Sequence, residues 1–396
     1  MRLAMEIFRP TPPPPNSAAI AQALAQALES LGGMPDLLVI NDPQRGTRTE
    51  AVLARLRERG PLPSILVACG SHSFSPEEKA LFQARFAPWV PAQAFHWHDA
   101  HAPDLVRLNG PLPWHAHPAL AYARRILAVG SVEPHYFAGL SGGHKTLTIG
   151  VAGYADIEAN HAQALDPACR PVRLPGNPVH EGIVHMLSSL TVGRSVAVVN
   201  LLECEGTIRA ASGGSPLDAL AALVPLVEQT WIRTISSPVD ALILEVEGLL
   251  GESFYQAEKA IKNNEWAVRN WGALLLIASC SKGIGQAAFV RLLRETSTYD
   301  EARQAVQSRG YRLGDHKAVR LRYLTDPAYR HVQIYVQAPG LSGPEAQAIG
   351  VRKVTSTDAF LEAVTRERPA ATRARVLDAA FTSLRVEQTS CPGDSA

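Results

Sequence analysis

The stretches "DLLVIND" (36–42) and "SILVACG" (64–70) decide the fold, because each is a short apolar run that ends in small or polar residues. Similar runs recur at 125–132, 195–203, 240–248, 272–280 and 331–338. Amphipathic patterns of helical length lie between them, at 47–60, 75–86, 215–231 and 252–270. Continuously apolar strands that alternate with helices are typical of parallel sheets covered on both faces. We therefore predict an α/β protein.

The length of 396 residues suggests two domains, because a single core rarely grows beyond about 250–300 residues. The polar, proline-containing segment "RTISSPVD" (233–240) precedes a new strand, so we place a linker there. We predict two Rossmann-like parallel-sheet domains, at 1–234 and 238–355, with the active site in the cleft between them. A helical pattern at 370–385 belongs to a C-terminal helix and tail, 356–396, whose domain the sequence leaves open.

Composition narrows the function classes. The net charge of +1 argues against nucleic acid as the main partner. The five cysteines include no CxxC pair, so we expect neither a disulfide framework nor a structural zinc site, and a reducing compartment fits. The N-terminus carries "PTPPPPN" rather than the apolar core of a signal peptide, and no run approaches 18 apolar residues. We expect a cytoplasmic protein without a membrane span.

Four polar clusters follow predicted strands, where open parallel sheets bind their ligands. They are "NDPQR", "CGSHS", "EPHYFAGLSGGHK" and "EGLLGESFYQAEK". In the first, Asp42 could cap a helix and Arg45 could be a solvated charge, or the arginine could bind a carboxylate through two hydrogen bonds. In the second, His72 could be a loop residue or a general acid/base, because histidine titrates near neutral pH.

In the third cluster, His135 lies ten residues before Lys145, and Ser141, Gly142 and Gly143 precede that lysine. Glycines allow positive φ and a close approach to a ligand, while a lysine can hold a phosphate or form a covalent bond. A Walker phosphate loop requires GxxxxGK[ST], but "GLSGGHKT" has a histidine where the glycine before the lysine should stand. The stretch is a poor phosphate loop, and a cofactor anchor is the other interpretation.

Two groups lie on predicted helices. In "YADIEANH", His161 could end an ordinary helix, or it could be a single metal ligand that needs donors from elsewhere. In "SFYQAEKAIK", Tyr255 and Lys259 are spaced i, i+4 and share a face next to Gln256. That face could simply be solvated.

The histidines of "FHWHDAH" (95–101) and "HAH" (115–117) have a spacing that could bind zinc, with Asp99 or Asp104 as the carboxylate partner. Their surroundings are rich in proline and tryptophan and predict a long loop. Surface histidines are the preferred interpretation, and a zinc-dependent hydrolase is the alternative function that they would support.

Taken together, these clusters resemble the nickel-pincer lactate racemase family. The resemblance rests on "NDPQR", "GSH", "PHYFAGLSGGHK", "EANH" and "YQAEK", which occur in that order and with family-like spacing over roughly residues 36 to 350. Each motif alone is weak, but five in register are specific. The resemblance implies an isomerase that racemises or epimerises a 2-hydroxy acid.

The family's cofactor is a pyridinium-3,5-bisthiocarboxylic acid mononucleotide that carries nickel. One of its sulfur-bearing arms is joined to a lysine as a thioamide, and nickel is held by two sulfurs, a ring carbon and one protein histidine. The resemblance therefore implies Lys145 as the covalent anchor and His161 as the nickel ligand. It also implies that Ser141, Gly142 and Gly143 lie around the nucleotide.

The same resemblance implies that His72 and His135 are acid/base groups on opposite faces of the substrate. Proton abstraction from C2 of a 2-hydroxy acid is hard, whereas hydride removal is easier if a base takes the hydroxyl proton and an electron-poor ring accepts the hydride. The intermediate would be a planar 2-keto acid that takes the hydride back on its other face, which requires a second base. An unperturbed histidine pKa of about 6.5 suits both directions.

For the substrate, the resemblance implies that Arg45 and Lys259 bind its carboxylate and hydroxyl region, with Tyr255 and Gln256 beside them. Asp42 would orient Arg45 or contact the cofactor.

The chain departs from the family pattern at several places, including Ser73, which follows His72 where arginine is frequent, and His144 before the anchor. The departures leave open whether the substrate is small, such as lactate or malate, or a longer sugar acid. Cofactor-maturation proteins are the implied partners, and the oligomeric state is not predicted. A non-catalytic nucleotide-binding relative is a second alternative, against which the presence of both histidines argues.

Overall fold

A computed structural model describes residues 5–387 of the chain. Residues 1–4 and 388–396, which include Cys391 and the end of the predicted segment 356–396, lie outside the described residues. The described strands are β1 (Glu6–Phe8), β2 (Leu37–Asn41), β3 (Ser64–Ala68), β4 (Phe95–Trp97), β5 (Val106–Leu108), β6 (Trp114–Ala116), β7 (Arg125–Ser131), β8 (Pro134–His135), β9 (Gly139–Leu140), β10 (Ser195–Cys204), β11 (Thr207–Gly214), β12 (Ile232–Ile235), β13 (Val239–Glu245), β14 (Val268–Ile277), β15 (Gln333–Gln337), β16 (Arg352–Lys353), β17 (Arg373–Val376) and β18 (Ser383–Val386).

The described α-helices are α1 (Ala19–Leu31), α2 (Thr49–Arg57), α3 (Pro76–Ala84), α4 (Pro118–Tyr122), α5 (Gly143–Thr146), α6 (Tyr154–Ala162), α7 (Pro178–Leu190), α8 (Pro216–Trp231), α9 (Phe254–Asn264), α10 (Ala287–Glu295), α11 (Tyr299–Arg309), α12 (Asp315–Thr325), α13 (Gly343–Ala348) and α14 (Thr357–Glu367). They pack in two compact units. The first unit is Pro12–Gln229, and the second combines the described residues up to Thr11 with those from Thr230 onward.

The first unit is built on a six-stranded sheet with the order β11-β10-β7-β2-β3-β4. Its strands are parallel except for the antiparallel pair β10 and β11. The chain runs outward from β2 to β4 and then returns to β7 on the other side of β2, so the strand order reverses between β2 and β7. In open α/β sheets, ligands bind beyond the carboxyl ends of the strands at such a reversal.

Burial explains why these segments form central strands. The apolar residues of β2, β3 and β7 are almost wholly buried, and one core joins Leu38 and Ile40 to Leu24 of α1 and Leu53 of α2. Runs that are apolar on both faces bury their side chains only when helices cover the sheet on both sides. The sequence pattern therefore fixes the interior position of these strands.

The second unit has its own six-stranded sheet, with the order β1-β17-β13-β14-β15-β16 and parallel neighbours throughout. Here the strand order reverses between β13 and β17. A main core of buried apolar residues, including Leu242, Leu274, Phe254 and Phe289, joins the sheet to α9 and α10. The predicted α/β class with parallel sheets is confirmed, and each of the seven predicted strands forms at its predicted place.

The predicted helix at 370–385 is wrong, because β17 and β18 lie there instead. The pattern of this stretch is short enough to suit either structure, and distant pairing decides it: β17 lies between β1 and β13, and β18 pairs with β12. The predicted linker at 233–240 is also wrong in part, because Ile232–Ile235 forms β12. The stretch 95–117, predicted as a loop, contains three short strands, β4 to β6.

The domain boundaries 1–234, 238–355 and 356–396 stay a prediction. Within the described part of the chain, β1 lies in the sheet of the second unit, where it pairs with β17. The four cysteines among residues 5–387 are buried and carry no disulfide. No helix in this part of the chain combines the length and apolar character needed to cross a membrane.

Candidate active site

The reversal between β2 and β7 gathers most of the predicted site residues of the first unit. Asp42 follows β2, His72 follows β3, and His135 follows β7 in a small hairpin made by β8 and β9. Because the carboxyl ends of parallel strands meet at one edge of a sheet, residues that are far apart in sequence come together there.

Asp42 holds His72. The Asp42 side chain is 5% exposed, and its Oδ2 lies 2.8 Å from Nδ1 of His72, which is 34% exposed. The other carboxylate oxygen accepts a hydrogen bond from the backbone N–H of Gln44 at 2.9 Å. A carboxylate can only accept, so Nδ1 of His72 carries the proton and Nε2 presents a lone pair. In this tautomer, Nε2 of His72 is able to accept a proton.

His135 contacts the predicted anchor. Its Nε2 lies 2.8 Å from Nζ of Lys145, and its Nδ1 accepts a hydrogen bond from the backbone N–H of Ala138 at 3.3 Å. With Nδ1 as acceptor, the ring proton stands on Nε2 and faces the amine. This geometry suits a neutral amine, whose lone pair can accept that proton.

The charge state of Lys145 agrees with that reading. Burial lowers its pKa well below the ordinary lysine value, and the nearby charge of Arg45 lowers it further, while Glu133 opposes both effects. The ammonium position also lies 5.4 Å from the ring centroid of Phe137. The neutral amine is the nucleophilic form of a lysine side chain, and the lowered pKa favours that form.

His161 lies on α6, next to the same aromatic ring. Its imidazole packs edge-on against Phe137, with 4.9 Å between the ring centroids. Burial lowers the pKa of His161 to about 3, and the charge of Lys145 contributes in the same direction. The imidazole is therefore neutral at physiological pH, which is the form that binds metal ions. Nickel is among the metals that imidazole suits.

The two glycines before Lys145 have roles in the fold. Gly142 has φ 145°, a conformation that side chains disfavour. A Cβ on Gly143 would lie 2.6 Å from Cγ1 of Val198, so α5 can approach β10 only with glycine at this position. The backbone N–H of Gly143 also donates to Oδ1 of the buried Asn200 at 2.8 Å. These contacts fix the helix that carries the lysine.

Ser141 closes the loop that carries His135. Its hydroxyl hydrogen-bonds the carboxylate of Glu133 and also contacts the backbone carbonyl of Ser131 at 2.9 Å. The backbone N–H of Glu133 donates to the same hydroxyl at 2.8 Å. Ser141 therefore fixes the two ends of the 133–141 loop.

Several residues of the site escaped sequence reasoning. Asn200 was not predicted as a site residue. It is the one polar residue inside the apolar run of β10, and that position could have identified it. Thr146 donates to Asn41 at 2.8 Å, and Asn41 donates to Thr47 at 2.7 Å, so a polar chain ties α5 to the end of β2. Glu133 lies within the cluster "EPHYFAGLSGGHK", but its role in holding the loop becomes visible only from its hydrogen bond with Ser141.

Arg45 and the α9 residues stand apart from these hydrogen bonds. The backbone N–H of Arg45 closes a turn on the carbonyl of Asp42 at 3.0 Å, and no side chain among residues 5–387 forms an ion pair with its guanidinium. Tyr255, Gln256 and Lys259 belong to the second unit, where α9 follows the carboxyl end of β13. They lie on the first turns of that helix and are partly exposed.

The histidines at 95–117 have contacts that serve the fold. His98 donates from Nε2 to the carbonyl of Ala152 at 2.9 Å, and His117 caps α4 through the N–H of Ala119 at 3.2 Å. His115 lies 3.3 Å from a carboxylate oxygen of Asp156. Within residues 5–387, no three or more histidine, cysteine or acidic side chains come together as a metal site. These contacts favour structural histidines over a zinc hydrolase centre.

Residues 37–170 match the family described as lactate racemase N-terminal domain. Over 265 residues the chain is 27% identical to a lactate racemase of Thermoanaerobacterium thermosaccharolyticum. The alignment covers 65% of this chain and 61% of that protein. It is 26% identical to a lactate racemase of Lactiplantibacillus plantarum over 182 residues, 44% of this chain and 41% of that one. The chain thus spans about three fifths, or less, of the length of these curated relatives.

Two solved structures share the fold. The lactate racemase apoprotein of T. thermosaccharolyticum aligns with a TM-score of 0.81 at 20% identity, over 96% of this chain and 94% of that chain. A structural-genomics crystal structure from Thermotoga maritima aligns with a TM-score of 0.73 at 16% identity, over 94% and 98%.

Proposed function

We propose that this chain, which belongs to the lactate racemase-like family, is an isomerase that inverts C2 of a 2-hydroxy acid. The observation that carries the proposal is a pair of imidazoles, His72 and His135, at one edge of a parallel sheet. Each is oriented by a different partner: a carboxylate holds His72, and Lys145 contacts His135. A reaction that passes a proton on either of two substrate faces needs two such groups.

The cofactor that we propose is the nickel-pincer nucleotide, with Lys145 as its covalent anchor and His161 as the protein ligand to nickel. When bound, it supplies an electron-poor centre that can accept a hydride from C2. Two observations support the fit: the pKa of Lys145 is lowered, which favours the nucleophilic amine, and the pKa of His161 is about 3, which keeps its imidazole available to a metal. The charge of Lys145 also contributes to the lowered pKa of His161, and both side chains lie against the ring of Phe137.

The side chains of the protein then handle the protons. Nε2 of His72 takes the hydroxyl proton of one enantiomer, while Asp42 holds the opposite nitrogen and stabilises the imidazolium that forms. His135 serves the other enantiomer through its own Nε2, which requires the ring proton to leave that nitrogen, where Lys145 and the N–H of Ala138 hold it in the structure. Once the amine of Lys145 is part of a covalent linkage, it no longer competes for Nε2 of His135. For inversion, the histidine on the opposite face supplies the new hydroxyl proton, so one histidine begins each turnover protonated and the other neutral, and the two states are exchanged at its end.

Arg45 is the proposed partner of the substrate carboxylate. Its guanidinium lies close enough to Lys145 to lower the pKa of that amine, and no acidic side chain within residues 5–387 pairs with it. An arginine without a carboxylate partner can bind a substrate carboxylate through two hydrogen bonds. We propose Tyr255, Gln256 and Lys259 as the groups that contact the rest of the substrate.

The proposed substrates range from lactate or malate to a sugar acid. Proteins that build and insert the nucleotide would be the partners of the chain, and we propose a cytoplasmic location for both. A non-catalytic relative that binds the nucleotide is the alternative, and turnover distinguishes it from an isomerase.

The test is to express the chain together with the cofactor-building enzymes and to measure intact mass, metal content and racemisation of 2-hydroxy acids. We expect a covalent adduct with stoichiometric nickel. Lys145→Ala should lose the adduct, and His161→Ala should keep the adduct but lose the nickel. Lys79→Ala, on the surface helix α3, is the control and should keep both. An adduct that persists in Lys145→Ala, or zinc in place of nickel, would contradict the proposal.

A further inference from the structure

A cluster of charged side chains is buried between α9 and α12 of the second unit. Three buried members lie on or directly after α9 and one lies on α12, and the half-buried Arg320 of α12 joins them: Glu258, Lys262, Glu265, Lys317 and Arg320. The salt bridges are Lys262 with Glu265 at 3.1 Å, Arg320 with Glu265 at 3.0 Å, and Lys317 with Glu258 at 3.6 Å. Nothing in the proposed chemistry uses these residues.

Lys317 differs from the other cations of the cluster because it reaches the first turn of α9. Its Nζ donates to the backbone carbonyl of Tyr255 and lies 4.0 Å from the centroid of the Tyr255 ring. The ring is also packed edge-on against Phe289, with 5.4 Å between centroids. One buried ammonium therefore contacts both the backbone and the side chain of Tyr255.

Burying the charged side chain of Lys317 costs free energy, and the packing of the two helices alone gives no reason for that cost. Its side chain is 2% exposed and that of Glu258 is 0% exposed. Apolar side chains of similar volume usually stabilise a helix interface as well as a buried ion pair does, or better. A cation beneath an aromatic ring offers something that methionine or leucine cannot, since it attracts the face of the ring and donates to the carbonyl.

We propose that Lys317 is a positioning residue, which fixes the orientation of Tyr255 and thereby the substrate-binding face of α9 that includes Lys259. Tyr255 and Lys259 are one helical turn apart, so a rotation at the start of α9 displaces both. The inference deepens the proposed function and rests on it. It assigns to the buried cluster a role in substrate affinity rather than in folding alone.

The test compares Lys317→Met with Lys262→Met in the nickel-loaded enzyme. Both variants remove a buried lysine that pairs with a glutamate, but Lys317 contacts the carbonyl and the ring of Tyr255, whereas Lys262 pairs with Glu265. Lys317→Arg keeps the charge and is the conservative variant. If Lys317→Met does not fold, the double variant Glu258→Gln/Lys317→Met removes the carboxylate left without its cation and serves in its place.

Two measurements are made on each variant. The first is the 19F resonance of Tyr255 in protein labelled with 3-fluorotyrosine, assigned by its loss in Tyr255→Phe. The second is kcat and KM for the best 2-hydroxy acid. We expect Lys317→Met to shift the resonance and to lower kcat/KM by about 10- to 100-fold, mainly through KM. Lys262→Met should leave the resonance and KM unchanged, and Lys317→Arg should recover part of the loss.

An unmoved Tyr255 resonance in Lys317→Met would overturn the inference, and so would an equal rise of KM in Lys262→Met, which would point to general destabilisation. A shifted resonance with unchanged KM would also overturn it. If the loaded wild-type protein turned over no 2-hydroxy acid at all, the proposed function would fail, and the resonance would still show whether Lys317 positions the ring.

Discussion

Replacing Asp42 with asparagine should disable His72 without displacing it. The two oxygens of Asp42 have distinct partners: one accepts from the backbone N–H of Gln44 at 2.9 Å, and the other faces Nδ1 of His72 at 2.8 Å. In Asp42→Asn, the amide oxygen must take the first place, because the backbone N–H requires an acceptor. The amide NH2 then faces Nδ1 of His72 and donates to it.

That donation reverses the tautomer of His72. Nδ1 becomes the acceptor, the ring proton moves to Nε2, and the nitrogen that should receive the substrate proton no longer has a lone pair. Loss of a general base typically costs about 10²–10⁴-fold in rate, or roughly 3–5 kcal/mol of transition-state stabilisation. Because Asp42 is 5% exposed, water offers little compensation, and we expect a loss toward the upper end of that range.

The assay has two parts. In the protein without cofactor, 15N chemical shifts of the His72 imidazole should report protonation at Nδ1 in the wild type and at Nε2 in Asp42→Asn. In the loaded enzyme, kcat/KM should fall for both enantiomers, and Asp42→Asn should add almost nothing to His72→Ala. A wild-type rate in Asp42→Asn, or independent losses in the double variant, would refute the reasoning.

Two further predictions concern the stability of the first unit. Gly143→Ala should lower the free energy of unfolding by about 1–3 kcal/mol, because its Cβ would lie 2.6 Å from Val198, whereas Gly46→Ala has open space and should be nearly neutral in thermal denaturation. Burial raises the pKa of Glu203 from 4.5 to about 7, so the folded state holds a proton that the unfolded state has lost, and this contribution to stability falls as the pH rises between those values. Glu203→Gln should flatten that part of the pH profile in urea unfolding, the exposed control Glu205→Gln should not, and an unchanged slope in Glu203→Gln would contradict the assignment.

Strands with a purely local signal were predictable. The runs at 36–42 and 64–70 are apolar on both faces, and only the centre of a covered sheet buries such a strand. The position of Asp42 and His72 after those runs predicted that both would reach one edge of the sheet. The end of a strand, and with it the edge of the sheet where ligands bind, can be recognised from a few consecutive residues.

Distant pairing was not predictable in the same way. β17 forms between β1 and β13, and β1 lies more than 360 positions earlier in the chain. No local pattern distinguishes β17 from a helical turn, because its partners decide the conformation. The same is true of β12, which was predicted as part of a linker and which forms a strand by pairing with β18.

Side-chain partners were the least predictable part of the site. The sequence suggested that Asp42 would orient Arg45 or contact the cofactor, whereas its carboxylate holds His72. It suggested nucleotide contacts for Ser141 and Gly143, and those stay a prediction; the contacts that the fold provides are with Glu133 and Asn200. Such pairs join the ends of different strands, so they depend on the strand order.

The unequal settings of His72 and His135 are compatible with a reaction that treats two enantiomers alike. One imidazole is held by a carboxylate, and the other contacts a lysine and a backbone N–H. Enantiomers have equal free energy, and the ratio of kcat/KM in the two directions equals the equilibrium constant. For a substrate with one stereocentre, any change at His72 must therefore lower kcat/KM equally in both directions. A longer sugar acid has other stereocentres, so its two C2 forms differ in free energy. The ratio of kcat/KM in the two directions then departs from unity, by the same factor in wild type and in Asp42→Asn. The ratio thus reports the class of substrate, while its constancy on mutation is required by the equilibrium constant whatever roles the two histidines have.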